Sequence, residues 1–118
     1  MKKVKTCELY GLDLNWAVAT AEGIAVEYIN DGITQCLLQT QGGRYAPSTN
    51  WAQGGPIIER EGIDTKEGNP LYFPKGNEKG DYYEPLWIAG KQHGQTLLIA
   101  AMRYYVASKL GDTVELPE

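Results

Sequence analysis

The segment that most constrains this chain is "LLIAAMRYYVASKLG", residues 97–111. Leu97, Leu98, Ala101, Met102, Tyr105 and Leu110 fall close to one helical face, and Ala100, Tyr104 and Val106 carry the apolar surface round the rest. A helix that is apolar on more than one side must be covered by more than one neighbour. Thr96 is placed to cap its start, Lys109 complements the dipole at its end, and Gly111 stands where a C-cap belongs. The rest of the fold therefore has to surround this helix. With 118 residues the expectation is one domain, 1–118, large enough for a modest core without metal or disulfide staples.

The remaining elements are shorter. Leu14, Ala17, Val18 and Ala21, spaced i, i+3, i+4, i+7, predict a helix capped by Asp13 and closed by Gly23. "IAVEYI" (24–29) alternates Ile24, Val26 and Tyr28 against Ala25 and Glu27, and "ITQCLLQT" (33–40) follows the turn "NDG"; together they predict a hairpin over 24–40. Thr49 or Asn50 is expected to cap a short or kinked helix that ends at Gly62, because Gly54, Gly55 and Pro56 loosen it. Residues 63–84 form a polar excursion punctuated by Gly68, Pro70, Pro74, Gly76 and Gly80, with "LYF" (71–73) as its strand-forming anchor. "PLWIAG" (85–90) predicts a strand, "KQHG" (91–94) a turn, and the tail "DTVELPE" an extended end. Helices and strands in separate runs point to an α+β fold: a small, mainly antiparallel sheet with about three helices packed on it.

Charge and cysteine usage narrow the functional classes. The net charge of −4 argues against a broad nucleic-acid-binding face, which needs clustered Lys and Arg. No apolar run reaches membrane-spanning length, and "MKKVKTCELYG" lacks the apolar region of a signal peptide. A cytosolic protein with reduced Cys7 and Cys36 is expected. Neither cysteine lies in a CxxC or beside His, so both read as small buried hydrophobes, and no metal or cofactor is implied.

No catalytic constellation stands out. His93, the single histidine, sits in "GKQHGQ" without a Ser-His-Asp or Cys-His arrangement, so a solvated histidine competes with a general base. Glu59 and Glu61 flank Arg60 and would splay apart on a helix. The glycine pairs in "QGGR" and "QGGP" could offer backbone amides to an anion, with Arg44 or Arg60 adding charge, although turn geometry alone would explain them. The aromatics are the better lead. Trp51 stands among chain-breakers in "YAPSTNWAQGGPIIER" (45–60). A slot for a flat ligand or a protein hot spot would use Tyr45, Ser48, Thr49, Asn50, Trp51, Gln53, Gly54, Gly55, Arg60, Trp87 and His93. The alternative is that Trp51 and Trp87 cover the open ends of a small sheet.

Three motifs carry a resemblance. "LNWAVATAEG" (14–23), "YAPSTNWAQGGPIIERE" (45–61) and "LLIAAMRYYVASKLGDTVELPE" (97–118) resemble the NinX-like family of small bacteriophage proteins, a domain of unknown function found among accessory early genes of temperate phages and prophages. The layout is more loosely similar to phage α-β-α sandwich domains. The resemblance implies a phage accessory protein acting in the host cytoplasm, with counter-defence as one form of that action. It supplies no catalytic residues, and Asn50 stands where the family pattern more often has Asp. The expectation is a non-enzymatic protein that binds a host protein or a small nucleotide-like ligand, with a homodimer as a further expectation. The alternatives are a small enzyme of nucleotide metabolism using His93 as acid/base, and a self-assembling structural protein.

Overall fold

The computed structural model describes residues 2–40, 42–68, 71–73, 82–84 and 86–117, with 71–73 and 82–84 described by backbone pairing alone. Its centre is α3 (Leu97–Leu110), capped as expected by Thr96, whose Oγ1 accepts from the Ile99 amide at 3.1 Å. The helix packs against α1 (Gly11–Glu22), α2 (Trp51–Glu61), strands β7 (Trp87–Ala89) and β8 (Gln92–Gly94), and the C-terminal β9 (Thr113–Leu116). Leu98, Ala100, Ala101, Met102, Tyr105 and Val106 are buried on several sides of it, as an all-round apolar helix requires. Each large side chain removed from water here contributes about 1.5–3 kcal/mol. Tyr104 and Leu110 remain partly exposed, so the cover is incomplete at the end of the helix.

The α+β class holds, but the sheet is divided. All strand pairs are antiparallel, in separate small sheets: β1 (Lys2–Lys5) with β9, β2 (Val26–Asn30) with β3 (Gln35–Gln39), β4 (Lys66–Glu67) with β7 and β8, and β5 (Leu71–Phe73) with β6 (Tyr82–Glu84). The β2–β3 hairpin pairs Val26 with Gln39 and Asn30 with Gln35. Its turn is closed by Asp31, whose Oδ1 accepts from the amides of Ile33 and Thr34 at 2.9 and 2.6 Å. The tail is extended, as expected, and pairs with β1. Val114 and Leu116 alternate inward along β9, and Thr6 continues the pairing through bonds to Asp112 O and Gly111 O at 2.8 and 2.7 Å. The excursion at 63–84 contains β4, β5 and β6; its remainder, 69–70 and 74–81, lies outside the described residues.

Several local expectations need correction. α1 starts at Gly11, with Tyr10 as an N-cap that offers no side-chain bond; Asp13 lies inside the first turn, where a carboxylate still suits the dipole. α2 is capped as expected, by the Asn50 Oδ1 on the Ala52 amide (2.9 Å), and it runs through Gly54, Gly55 and Pro56 to Glu61. The β7–β8 turn is Gly90–Lys91, and His93 pairs with Ile88 on a strand. Cys7 is exposed and Cys36 half-buried, so neither is a core residue. Tyr28 is 48% exposed rather than turned into the core. Among the described residues no helix is long and apolar enough to cross a membrane.

Candidate functional site

The residues 45–61 form a compact structural unit. Gln53 folds back from α2 onto the preceding loop: its Oε1 accepts from the Ala46 amide at 2.6 Å, and its Nε2 donates to Arg44 O at 2.8 Å. Ser48 is buried, and its amide donates to Oδ1 of the buried Asn15 on α1 at 3.0 Å, while its Oγ has no hydrogen-bond partner. Thr49 Oγ1 donates to Ala46 O at 3.4 Å. The Gly54 amide is spent within the chain, on Asn50 O at 2.8 Å. A Cβ on Gly54 would lie 2.4 Å from Pro47 O and 2.7 Å from Leu98 Cδ2, so glycine is what lets α2 meet both the loop and α3. Gly55 is a neighbouring helical residue beside the Trp51 ring. Trp51 itself opens α2 and is 57% exposed, which places it on the surface rather than over a sheet end.

Arg60 belongs to a clasp that joins the three helices. Its Nη1 and Nη2 donate to the two carboxylate oxygens of Glu22, the last residue of α1, at 3.0 and 2.7 Å, and its Nε donates to Glu61 at 2.8 Å. The Tyr105 hydroxyl of α3 also donates to Glu22. Lys109 Nζ lies 3.4 Å from Glu61, and the Arg60 guanidinium sits 5.7 Å from the Tyr105 ring centroid. The Arg60 bonds hold the Glu22 carboxyl below its ordinary range against the opposing effect of burial. Burial, then the bond to Glu22, pushes the Tyr105 phenol up to about 12. Burial also raises the Tyr45 phenol, with Glu22 nearby adding to it. The fold thus brings Tyr45 and Arg60 together, but around an internal carboxylate.

Trp87 and His93 lie elsewhere, on the β7–β8 hairpin. Trp87 is half-buried against the core and pairs with Glu67 and Gly94; His93 is exposed. Arg103 of α3 fixes this hairpin by donating to His93 O at 2.7 Å and to Leu9 O at 2.7 Å, a connection that local pattern does not announce.

A groove of about 710 Å³ lies between the start of α1 and the β2–β3 hairpin. Tyr10, Gly11, Leu12, Asp13 and Trp16 line one wall. Val26, Glu27, Tyr28, Gln35 and Leu37 line the other, and Pro117 closes an edge. Cross-strand pairing sets Tyr28 opposite Leu37, and side-chain alternation puts Val26 on the face of Tyr28. Leu12 and Trp16 share a helical stripe at i, i+4, beside the buried stripe of Leu14, Ala17 and Val18. Tyr10 is 72% exposed. None of the residues selected from the sequence lines this groove. The available signal was the second apolar stripe of α1, Leu12–Trp16, together with a tyrosine on the facing strand.

The groove chemistry is that of a binding surface. It offers three aromatic residues, aliphatic walls and the acidic residues Asp13 and Glu27, with no His, Cys or Lys among the described residues that line it. Among the described residues no group of three or more His, Cys, Asp or Glu gathers as a metal site. A model of the bacteriophage P22 NinX family matches residues 5–109, which include both the clasp and all of the groove except Pro117. Among curated proteins, the search returned no match. The chain therefore belongs to the bacteriophage P22 NinX family.

Proposed function

We propose that the chain is a non-enzymatic phage accessory protein that acts in the host cytoplasm by binding a host protein, and that the α1/hairpin groove is the surface it uses. The observation that carries this reading is the trio Tyr10, Trp16 and Tyr28 around one open cavity, with Tyr10 and Tyr28 exposed to solvent. Such side chains supply large contact area at low conformational cost and dominate protein interfaces. Strand alternation turns Glu27 away from the face of Val26 and Tyr28, which argues against a convergent Asp13–Glu27 acid pair and for recognition over hydrolysis. Among the described residues no Lys or Arg lines the groove, which favours a protein over a phosphate-bearing nucleotide.

The test is native mass spectrometry of wild-type chain and the Tyr10→Ala/Tyr28→Ala double variant, each recovered from infected cells. A host protein bound to the wild type and lost from the equally folded variant is expected. The same protein on both, or none on either, would overturn the groove reading. Exposed Trp51 supports a second contact surface at the start of α2: loss of the partner on Trp51→Ala, with binding retained in the double variant, would transfer the function there. Self-association is read in the same spectra from the mass of the free species.

A further inference from the structure

We infer that the groove recognises a basic side chain, so that its partner is a protein segment presenting an arginine or lysine beside apolar residues. This rests on the binding role proposed above and adds the chemistry of the occupant. Tyr10, Trp16 and Tyr28 bring three π systems to one cavity, and a cation over a Trp or Tyr face is attracted by the ring quadrupole. Among the described residues, the charged members of the lining are Asp13 and Glu27, with no Lys or Arg. Lys2 pairs with Leu116, next to Pro117, but does not line the groove. Because alternation turns Glu27 from the face of Val26 and Tyr28, Asp13 carries the larger share of the charge complementarity.

The competing occupant is an anion, since the first turn of α1 contributes to the same wall. A helix N-terminus presents about half a positive charge. Asp13 lies in that turn and brings a full negative charge to it, so the dipole is already answered and a phosphate meets net repulsion. A guanidinium fits both parts of the lining at once: it stacks on aromatic faces and bonds to a carboxylate. Leu12 and Val26 provide the aliphatic surface that the methylene stem of such a side chain covers.

The experiment is selection of a random-peptide display library on the wild-type chain, with binders retained by Tyr10→Ala/Tyr28→Ala subtracted. The surviving peptides are expected to share an Arg or Lys flanked by apolar residues. Asp13→Asn should weaken them about tenfold, as should replacement of the basic residue by citrulline or norleucine. The peptide-side replacement keeps the test independent of how the protein variant folds. Groove-dependent peptides without a basic residue, or with undiminished affinity for folded Asp13→Asn, would overturn the cation chemistry and leave the binding role standing. Adenosine monophosphate bound in the groove and held more tightly by Asp13→Asn would overturn it in favour of an anion. The absence of any groove-dependent peptide would sink the inference and count against the binding role too.

Discussion

The segment 45–61 and the α1/hairpin groove are both rich in aromatic and polar residues, yet the fold uses them in opposite ways. In the first, Gln53, Ser48, Asn50 and Arg60 are bonded to backbone or to partner side chains, and Gly54 is pressed between Pro47 and Leu98. In the second, Tyr10 and Tyr28 stand in solvent around an open cavity. Apart from Trp51, which is 57% exposed, the distinctive string turns its polar groups inward rather than to a free surface. Polar groups whose hydrogen-bonding capacity is met inside the chain have less left for a ligand, while aromatic rings left facing water gain by being covered.

That contrast is sharpest at its largest expected effect. Ile57→Ala empties a buried site on α2 and should lower stability by about 2–5 kcal/mol in denaturant unfolding. Gly54→Ala should cost about 2 kcal/mol despite the ~1 kcal/mol gain in helix propensity, because its Cβ has no room beside Pro47 O. A neutral or stabilising result would mean that α2 can move away from the loop, and that the 45–61 unit is less tightly built than described.

Glu22→Gln should weaken the clasp by about 1 kcal/mol near neutral pH. The sign with pH follows from the lowered Glu22 value: the contribution is present above the ordinary 4.5 and is lost as pH falls through the folded value. The difference in Tm between wild type and Glu22→Gln should therefore shrink below about pH 4.5. A difference that stays constant in acid would show that the carboxylate's charge is not what joins the helices. At the alkaline end, the Tyr105 phenol resists ionisation up to about 12. Its neutral form is therefore favoured by folding, and wild-type stability should fall above about pH 10, a fall that Tyr105→Phe should reduce.

The smallest effects belong to the exposed rings. Trp51→Ala and Tyr28→Ala should each change stability by no more than about 0.5 kcal/mol. Each side chain is about half in water, so thermal unfolding should barely register either, whereas partner binding should register Tyr28. A large loss of stability in Tyr28→Ala would move that ring from the binding surface to the hairpin's support and would weaken the contrast between the two regions.

Much of the fold was legible in residue pattern. The capped, all-round apolar α3, the closure of α1 at Gly23 and of α2 at Gly62, and the β2–β3 hairpin follow from interactions between residues a few positions apart. The β1–β9 pair was not legible, because "KKVK" carries a single apolar residue and becomes a strand only beside the tail. The site was legible least. The string 45–61 drew attention by composition, but Asn15, Glu22 and Tyr105, the residues that absorb its polar groups, lie far from it in the chain.

Residue chemistry alone establishes the α+β class and a chain organised around one buried helix, because helical period, caps and turns act over short chain distances. It also carries the family resemblance. Packing alone distinguishes the two aromatic regions. Whether a tryptophan or an arginine faces water or a partner depends on which distant elements reach it. The groove exists only where residues 10–16, 26–37 and 117 converge, and no local rule encodes that convergence.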